Sequence, residues 1–366
     1  MLASPEAIER YLGRSRDARW FSNFGPCARL LSDRLTESAG RPCVLVANAT
    51  LGLIAALAAV SADREGAEVL VPSFAFAASA QAAAWNRLRP VFVDVHPGHW
   101  HLDPDRLDEA LAARPGRVAV VVALSSFGVP PPPDVRRRWE QSCAGAGVPL
   151  VVDSAAGYGA VAEDGIPIGG QGDVEVVSFH ALKPLSSGEG GAVFCRDAAV
   201  AERITHLINF AFDDEHQATE LLALNAKLSE PAAAIGLASL DELPDALAAR
   251  REHAEAIVHR LPRGITYQSG GHLGTWQFVP TALDDPDARA AILAEAGRRD
   301  VALRTYYDPL HWMPAFTACE RADELVVTED LGRRMLSLPM AVDLDEGAIA
   351  EIADLVEQGL RSALRA

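Results

Sequence analysis

VAVVVALSSFGVPPPPDVRRRWEQSCAGAGVPLVVD, residues 118–153, sets two apolar runs on either side of a segment with helical spacing. Residues 118–124 read as a strand, 134–146 as a helix and 149–153 as a second strand. The four prolines at 130–133 make a turn inside this unit. They do not link domains, because strand and helix go on alternating on both sides. The same alternation runs upstream, with strands at 44–47, 68–71 and 90–95 and helices at 50–60, 76–85 and 107–113. Such β-α-β order predicts an α/β fold with a mostly parallel sheet flanked by helices. Ligands in such sheets sit beyond the carboxyl ends of the strands.

Downstream, 174–178 and 191–195 add two short strands around a glycine-rich turn. The character changes after Asn225. A long helical segment from Pro231 to about Leu261 carries the charged run 249–255 and is expected to join two domains. Strands at 275–279 and 335–338 then mix with helices at 286–296 and 346–364. The expected division is a large domain over 1–245 and a smaller α+β domain over 246–366. The sequence contains no internal repeat.

Composition narrows the function classes. Of 366 residues, 49% are hydrophobic, enough for a sizeable core and against disorder. The formal charge is −17, from 33 basic and 50 acidic residues, which argues against a nucleic-acid binder. A placed phosphate is still compatible with it, since helix N-termini and a few cations suffice. Five scattered cysteines without a C-x-x-C point away from zinc or disulfide scaffolds and towards a reducing compartment. The N-terminal residues carry charges where a signal peptide needs an apolar run, and the Ala-rich run 51–61 is too short to span a membrane. The expectation is a cytoplasmic protein.

The densest chemical signal is SFHALKPLSSGEGG, residues 178–191. Lys183 follows a strand and precedes a tight glycine-rich turn. Its neighbours Phe179, Leu182 and Leu185 would desolvate the amine, lower its pKa and favour a Schiff base with an aldehyde. Asp153 ends a hydrophobic strand, where a carboxylate can pair with a protonated pyridine nitrogen. The turn Ala47-Asn48-Ala49-Thr50 leads into a helix whose first N–H groups can bind a phosphate. Ser178 can add a hydroxyl to that cup, and Phe76 can stack on a planar ring. Each has an ordinary reading alone: a snorkelling lysine, a turn-capping aspartate, a plain N-cap, a core aromatic. Together four strand ends supply phosphate cup, ring lid, pyridinium partner and Schiff-base lysine for one cofactor.

These stretches, in this order, resemble the pyridoxal-phosphate-dependent sugar aminotransferases of the DegT/DnrJ/StrS family. The resemblance extends from Phe21-Ser-Asn-Phe-Gly25-Pro26 through VPSFAF and the 178–191 block. It continues through Leu224-Asn225-Ala-Lys227 to Tyr306-Tyr307, Leu310-His311 and Leu336-Ser-Leu-Pro339. It implies a fold-type-I aminotransferase and a homodimer with shared active sites. Lys183 would be the Schiff-base lysine and proton shuttle, and Asp153 would contact the pyridine nitrogen. Phe76 would stack on the ring, while Ala49, Thr50 and Ser178 would hold the phosphate. Asn225 would reach the phosphate of the partner subunit, and Tyr307 and His311 would meet the nucleotide-sugar.

Three positions depart from the family pattern. Ala156 stands where a glutamine is usual, Ala49 where a glycine is usual, and Lys227 where an arginine is usual. Lys227 keeps the charge without the bidentate geometry. The implied reaction is ping-pong transamination of a keto-sugar, by default a nucleotide-linked keto-6-deoxyhexose, with glutamate as amino donor. The rivals are a dehydratase or lyase using the same lysine, a keto-cyclitol aminotransferase, and a non-catalytic binding relative. Related dehydratases replace the lysine with histidine, so Lys183 favours transamination.

Overall fold

The computed structural model describes residues 3–61 and 64–364. Two helices, α1 (Pro5–Ala18) and α2 (Pro26–Ala39), precede β1 (Cys43–Val46) and α3 (Ala49–Val60). There follow β2 (Glu68–Pro72), α4 (Ala77–Trp85), β3 (Arg89–Val93) and α5 (Pro104–Ala112). The opening unit of the sequence becomes β4 (Val118–Leu124), α6 (Pro133–Ala146) and β5 (Leu150–Asp153). The hairpin β6 (Val174–Ser178) and β7 (Gly191–Cys195) leads to α7 (Ala198–Leu207) and the long α8 (Glu230–Arg260). The C-terminal part comprises β8 (Ile265–Thr266), β9 (Val279–Leu283), α9 (Ala288–Arg298), β10 (Glu320–Arg321), α10 (Val326–Arg334), β11 (Met335–Leu338) and α11 (Glu346–Ala363).

Among the described residues the strands form two sheets. The large one has the order β1-β7-β6-β5-β4-β2-β3-β10, with β7 alone running against the others. The small one is antiparallel, β11-β9-β8. Apolar residues of α3, α4 and α7 pack on one face of the large sheet, and α5 and α6 cover the other. Both faces being covered explains why the central strands read as unbroken apolar runs; β4 is buried along its whole length.

Helix α8 spans both parts of the molecule. Ala233, Ala234 and Leu237 pack with α2 and the β7 side of the large sheet. Ala254 and Ile257, beyond Pro244, enter the core of the small sheet with α9 and α11. The expected boundary at 245–246 thus falls inside a continuous helix. The chain also crosses back, because Glu320–Arg321 joins the large sheet beside β3.

The structure departs from the expectations in several places. Residues 275–278 are not a strand; pairing begins at Val279, opposite Leu338. Trp276 sits at φ 54, a left-handed conformation that breaks an extended run, and Thr275 bonds to a distant turn instead of a neighbouring strand. The helices α1 and α2 carried no assignment from sequence. Here α2 buries Cys27, Ala28, Leu31 and Leu35, a stripe at helical spacing. Its N-terminus begins at Gly25, which has no side chain to cap with. Buried Glu230 supplies the cap instead, accepting from the Cys27 and Ala28 N–H groups at 2.7 and 2.8 Å and from the Ser15 hydroxyl at 2.6 Å.

Candidate active site

Lys183 lies in the excursion that connects β6 to β7. That loop is tied down by backbone bonds from Phe179 N to Gly190 O, Ala181 N to Gly188 O and Ser187 N to Phe179 O. Burial lowers the Lys183 amine to about 8, with the neighbouring Asp153 carboxylate pulling the other way. Asp153 ends β5 and is buried. It accepts from the Ser79 hydroxyl of α4 at 2.6 Å and from the Ala155 N–H at 3.1 Å. Burial pushes its pKa up, against those two bonds and the Lys183 charge. The half-buried amine and the buried acid therefore lie near enough at the carboxyl ends of β5 and β6 to influence each other's charge.

The residues expected to form a phosphate cup lie at the start of α3. Asn48 caps the helix by accepting from the Leu51 N–H at 2.9 Å. The N–H groups of Ala49 and Thr50 occupy the first two helical positions, where no intrahelical acceptor exists. Gly191 lies against this end: a Cβ there would sit 3.0 Å from Ala49 N and 2.7 Å from Val177 O. Only glycine lets the hairpin approach so closely. Gly191 pairs with Ser178 across the ladder, which brings the Ser178 hydroxyl to the same end. That hydroxyl accepts from the His180 N–H at 3.2 Å and keeps its own proton to donate. The set fits a phosphate: helix N-terminal donors without an intrahelical acceptor and a hydroxyl free to donate.

Phe76, at the N-cap of α4, is 56% exposed and meets Tyr306 edge-on at 6.3 Å, leaving a ring face uncovered. Tyr307 stacks on Phe127 at 4.7 Å and meets Phe74 edge-on. Burial, with help from Asp153, raises its phenol. His311 is buried, with Nδ1 2.7 Å from the Ser73 hydroxyl and Nε2 3.2 Å from Glu329. Its two ring nitrogens are thus engaged within the protein. Asn225 is exposed and accepts from Lys227 Nζ at 2.7 Å, while that ammonium lies 4.8 Å above the Phe210 ring. The bond from Ala47 N to Ala226 O holds this segment beside the Asn48 turn.

The structure therefore brings Lys183, Asp153, Ala49, Thr50, Ser178 and Phe76 to one end of the large sheet. Two contributors were not visible beforehand. Ser79 was read only as part of a helix. Gln277, in the stretch expected to be a strand, accepts from Lys183 Nζ at 2.9 Å.

The sequence pattern described as "DegT/DnrJ/EryC1/StrS aminotransferase family" matches residues 4–357. The protein Rv3402c of Mycobacterium tuberculosis is 34% identical over 349 residues, 93% of this chain and 84% of that protein. A dTDP-4-amino-4,6-dideoxy-D-glucose transaminase of Shigella dysenteriae is 27% identical, covering 92% and 91%. Among solved structures, DesI in the presence of its TDP-sugar product superposes with a TM-score of 0.88 at 33% identity, over 100% of this chain and 94% of that one.

Proposed function

Because this chain belongs to the DegT/DnrJ/EryC1/StrS aminotransferase family, we propose that it moves an amino group from an amino acid such as L-glutamate to a nucleotide-linked keto-sugar, with pyridoxal phosphate on Lys183. One observation carries this reading: the half-buried Lys183 amine and the buried Asp153 carboxylate lie at the same end of the large sheet as the open N-terminus of α3. The sugar nucleotides in the relatives' names support the acceptor class, a keto-6-deoxyhexose being the default.

When bound, the cofactor supplies the electron sink that makes the donor's α-proton acidic. The protein supplies the rest. The Ala49 and Thr50 N–H groups and the Ser178 hydroxyl hold the phosphate. Asp153 keeps the ring nitrogen protonated by charge pairing, and the uncovered face of Phe76 packs against the ring. Nζ of Lys183, poised near 8, takes the proton from the donor's α-carbon and returns one later, and a pKa near the working pH suits both tasks. Asn225 serves the phosphate of a partner subunit in a homodimer. Exposed apolar side chains on flanking segments suit such an interface: Leu182 beside Lys183 and Phe210 under Lys227. Tyr307 and His311 are assigned to the sugar-nucleotide side. For His311 this requires the bonds to Ser73 and Glu329 to open.

Incubating the cofactor-loaded protein with L-glutamate is expected to bleach its visible band and release 2-oxoglutarate. Borohydride reduction with peptide mapping is expected to fix the cofactor on Lys183. Consumption of a keto-sugar nucleotide without any amino donor would replace transamination by dehydration or elimination. Turnover of a keto-cyclitol alone would change the acceptor class and leave the chemistry intact.

A further inference from the structure

Four consecutive residues of the C-terminal part are anchored in or beside the site. The Thr275 hydroxyl donates to the Ala156 carbonyl at 2.6 Å, in the turn that follows Asp153. The Trp276 carbonyl accepts from buried Arg250 of α8 at 2.9 Å. The Gln277 side-chain carbonyl accepts from Lys183 Nζ at 2.9 Å. Phe278 meets Tyr306 edge-on at 5.7 Å, and Tyr306 in turn meets Phe76. The junction is tight. A Cβ on Gly128, itself at φ +78, would lie 2.5 Å from the Ala156 carbonyl and 2.6 Å from the Thr275 hydroxyl. Gln277 is therefore held from both sides, by Thr275 and Trp276 before it and by the β9 ladder after it.

The large sheet offers no side-chain amide of its own at the turn after Asp153. Position 156 carries a methyl group, and its carbonyl is already taken by Thr275. We propose that Gln277 is a positioning residue for Lys183: its amide oxygen accepts an N–H from the free amine and directs the nitrogen lone pair towards the substrate side. The inference rests on the aminotransferase reading above, because a free Lys183 amine is the state in which this lysine moves protons. The amine is thus aimed by the C-terminal part of the chain, while the loop between β6 and β7 carries it. A carbonyl oxygen next to an ammonium favours the charged form. A carboxylate there favours it more strongly, and an apolar group withdraws the support.

The test uses the full chain without cofactor. The reaction of Lys183 with an acylating reagent is followed against pH by peptide mass, in wild type, Gln277→Leu and Gln277→Glu. The wild-type midpoint is expected at about 8. Gln277→Leu is expected to move it down, and Gln277→Glu to move it up by about one unit or more. In loaded enzyme, Gln277→Leu is expected to lower kcat about tenfold with KM for both substrates within about twofold. A merely structural role would move both midpoints the same way. That result, or midpoints that stay with wild type, overturns the proposal. Circular dichroism checks both folds. If Gln277→Glu does not fold, Gln277→Asp replaces it; its carboxylate is expected to move the midpoint up, opposite to Gln277→Leu. Absence of a borohydride adduct on wild-type Lys183 would sink the aminotransferase reading itself. An adduct with unmoved midpoints sinks only the role of Gln277.

Discussion

Replacing Ser79 by alanine removes the strongest bond that keeps Asp153 ionised inside the protein. The carboxyl pKa then rises further, because burial is opposed only by the Ala155 N–H and Lys183. A charge-assisted bond of this kind contributes about 1.5–3 kcal/mol, so kcat is expected to fall at least about tenfold and cofactor to be retained less tightly. Steady-state rates and a cofactor titration check both. Lys183 sets a pH dependence of its own. The amine must be unprotonated to take a proton, so the glutamate half-reaction should quicken as pH rises towards about 8 and level off above it. Stopped-flow traces that are already flat below pH 7 would place the proton acceptor elsewhere. At this scale, the shared placement of Lys183, Asp153, Ala49, Thr50, Ser178 and Phe76 was legible because each stands at a strand end beside a local signal. Ser79 and Gln277 were not. A serine within an Ala-rich helix and a glutamine after a tryptophan gain their meaning only from what lies across the cleft.

Single elements carry stability predictions. Glu230→Ala strips the N-terminus of α2 of its side-chain cap and leaves the buried Cys27 and Ala28 N–H groups without that acceptor. This is expected to cost about 2 kcal/mol or more, seen as a lower denaturation midpoint in urea with an unchanged slope. Between β3 and α5, the rings of His96 and His99 stack at 4.2 Å, and His101 lies beneath His99 at 5.3 Å. Burial, and then the neighbouring ring, holds His99 down at about 4 and His101 at about 3. In the unfolded chain both take up protons near pH 6.5, so the folded state binds fewer protons below that pH. Stability is therefore lost as pH falls from about 6.5 towards 4, and replacing both by asparagine should flatten that fall in Tm. The strands of the large sheet were legible from unbroken apolar runs. Helix α2 went unread although its stripe is regular, because its cap lies two hundred residues away. Residues 275–279 misled because β-rich composition does not reveal a left-handed Trp276.

At the scale of the whole molecule, the alternation predicted a parallel sheet but not its order. Nothing local says that β2 lies between β4 and β3, or that two residues near position 320 close the edge. Glu320 is held there by Arg114, which also reaches buried Glu68. The proposed sharing of active sites between subunits gives a prediction at this level. Lys183→Ala and Asn225→Ala are each expected to be inactive, yet mixed subunits should regain activity, since one site of each heterodimer then has both native residues. Absence of recovery after exchange is confirmed by mass would place Asn225 in its own subunit's site or outside the site. Helix α8 has a last consequence. Its two ends are buried in different cores without interruption, so neither core can melt while the other keeps that helix whole. Calorimetry should record one cooperative transition rather than two, and a chain cut after residue 245 should yield two fragments that do not fold apart.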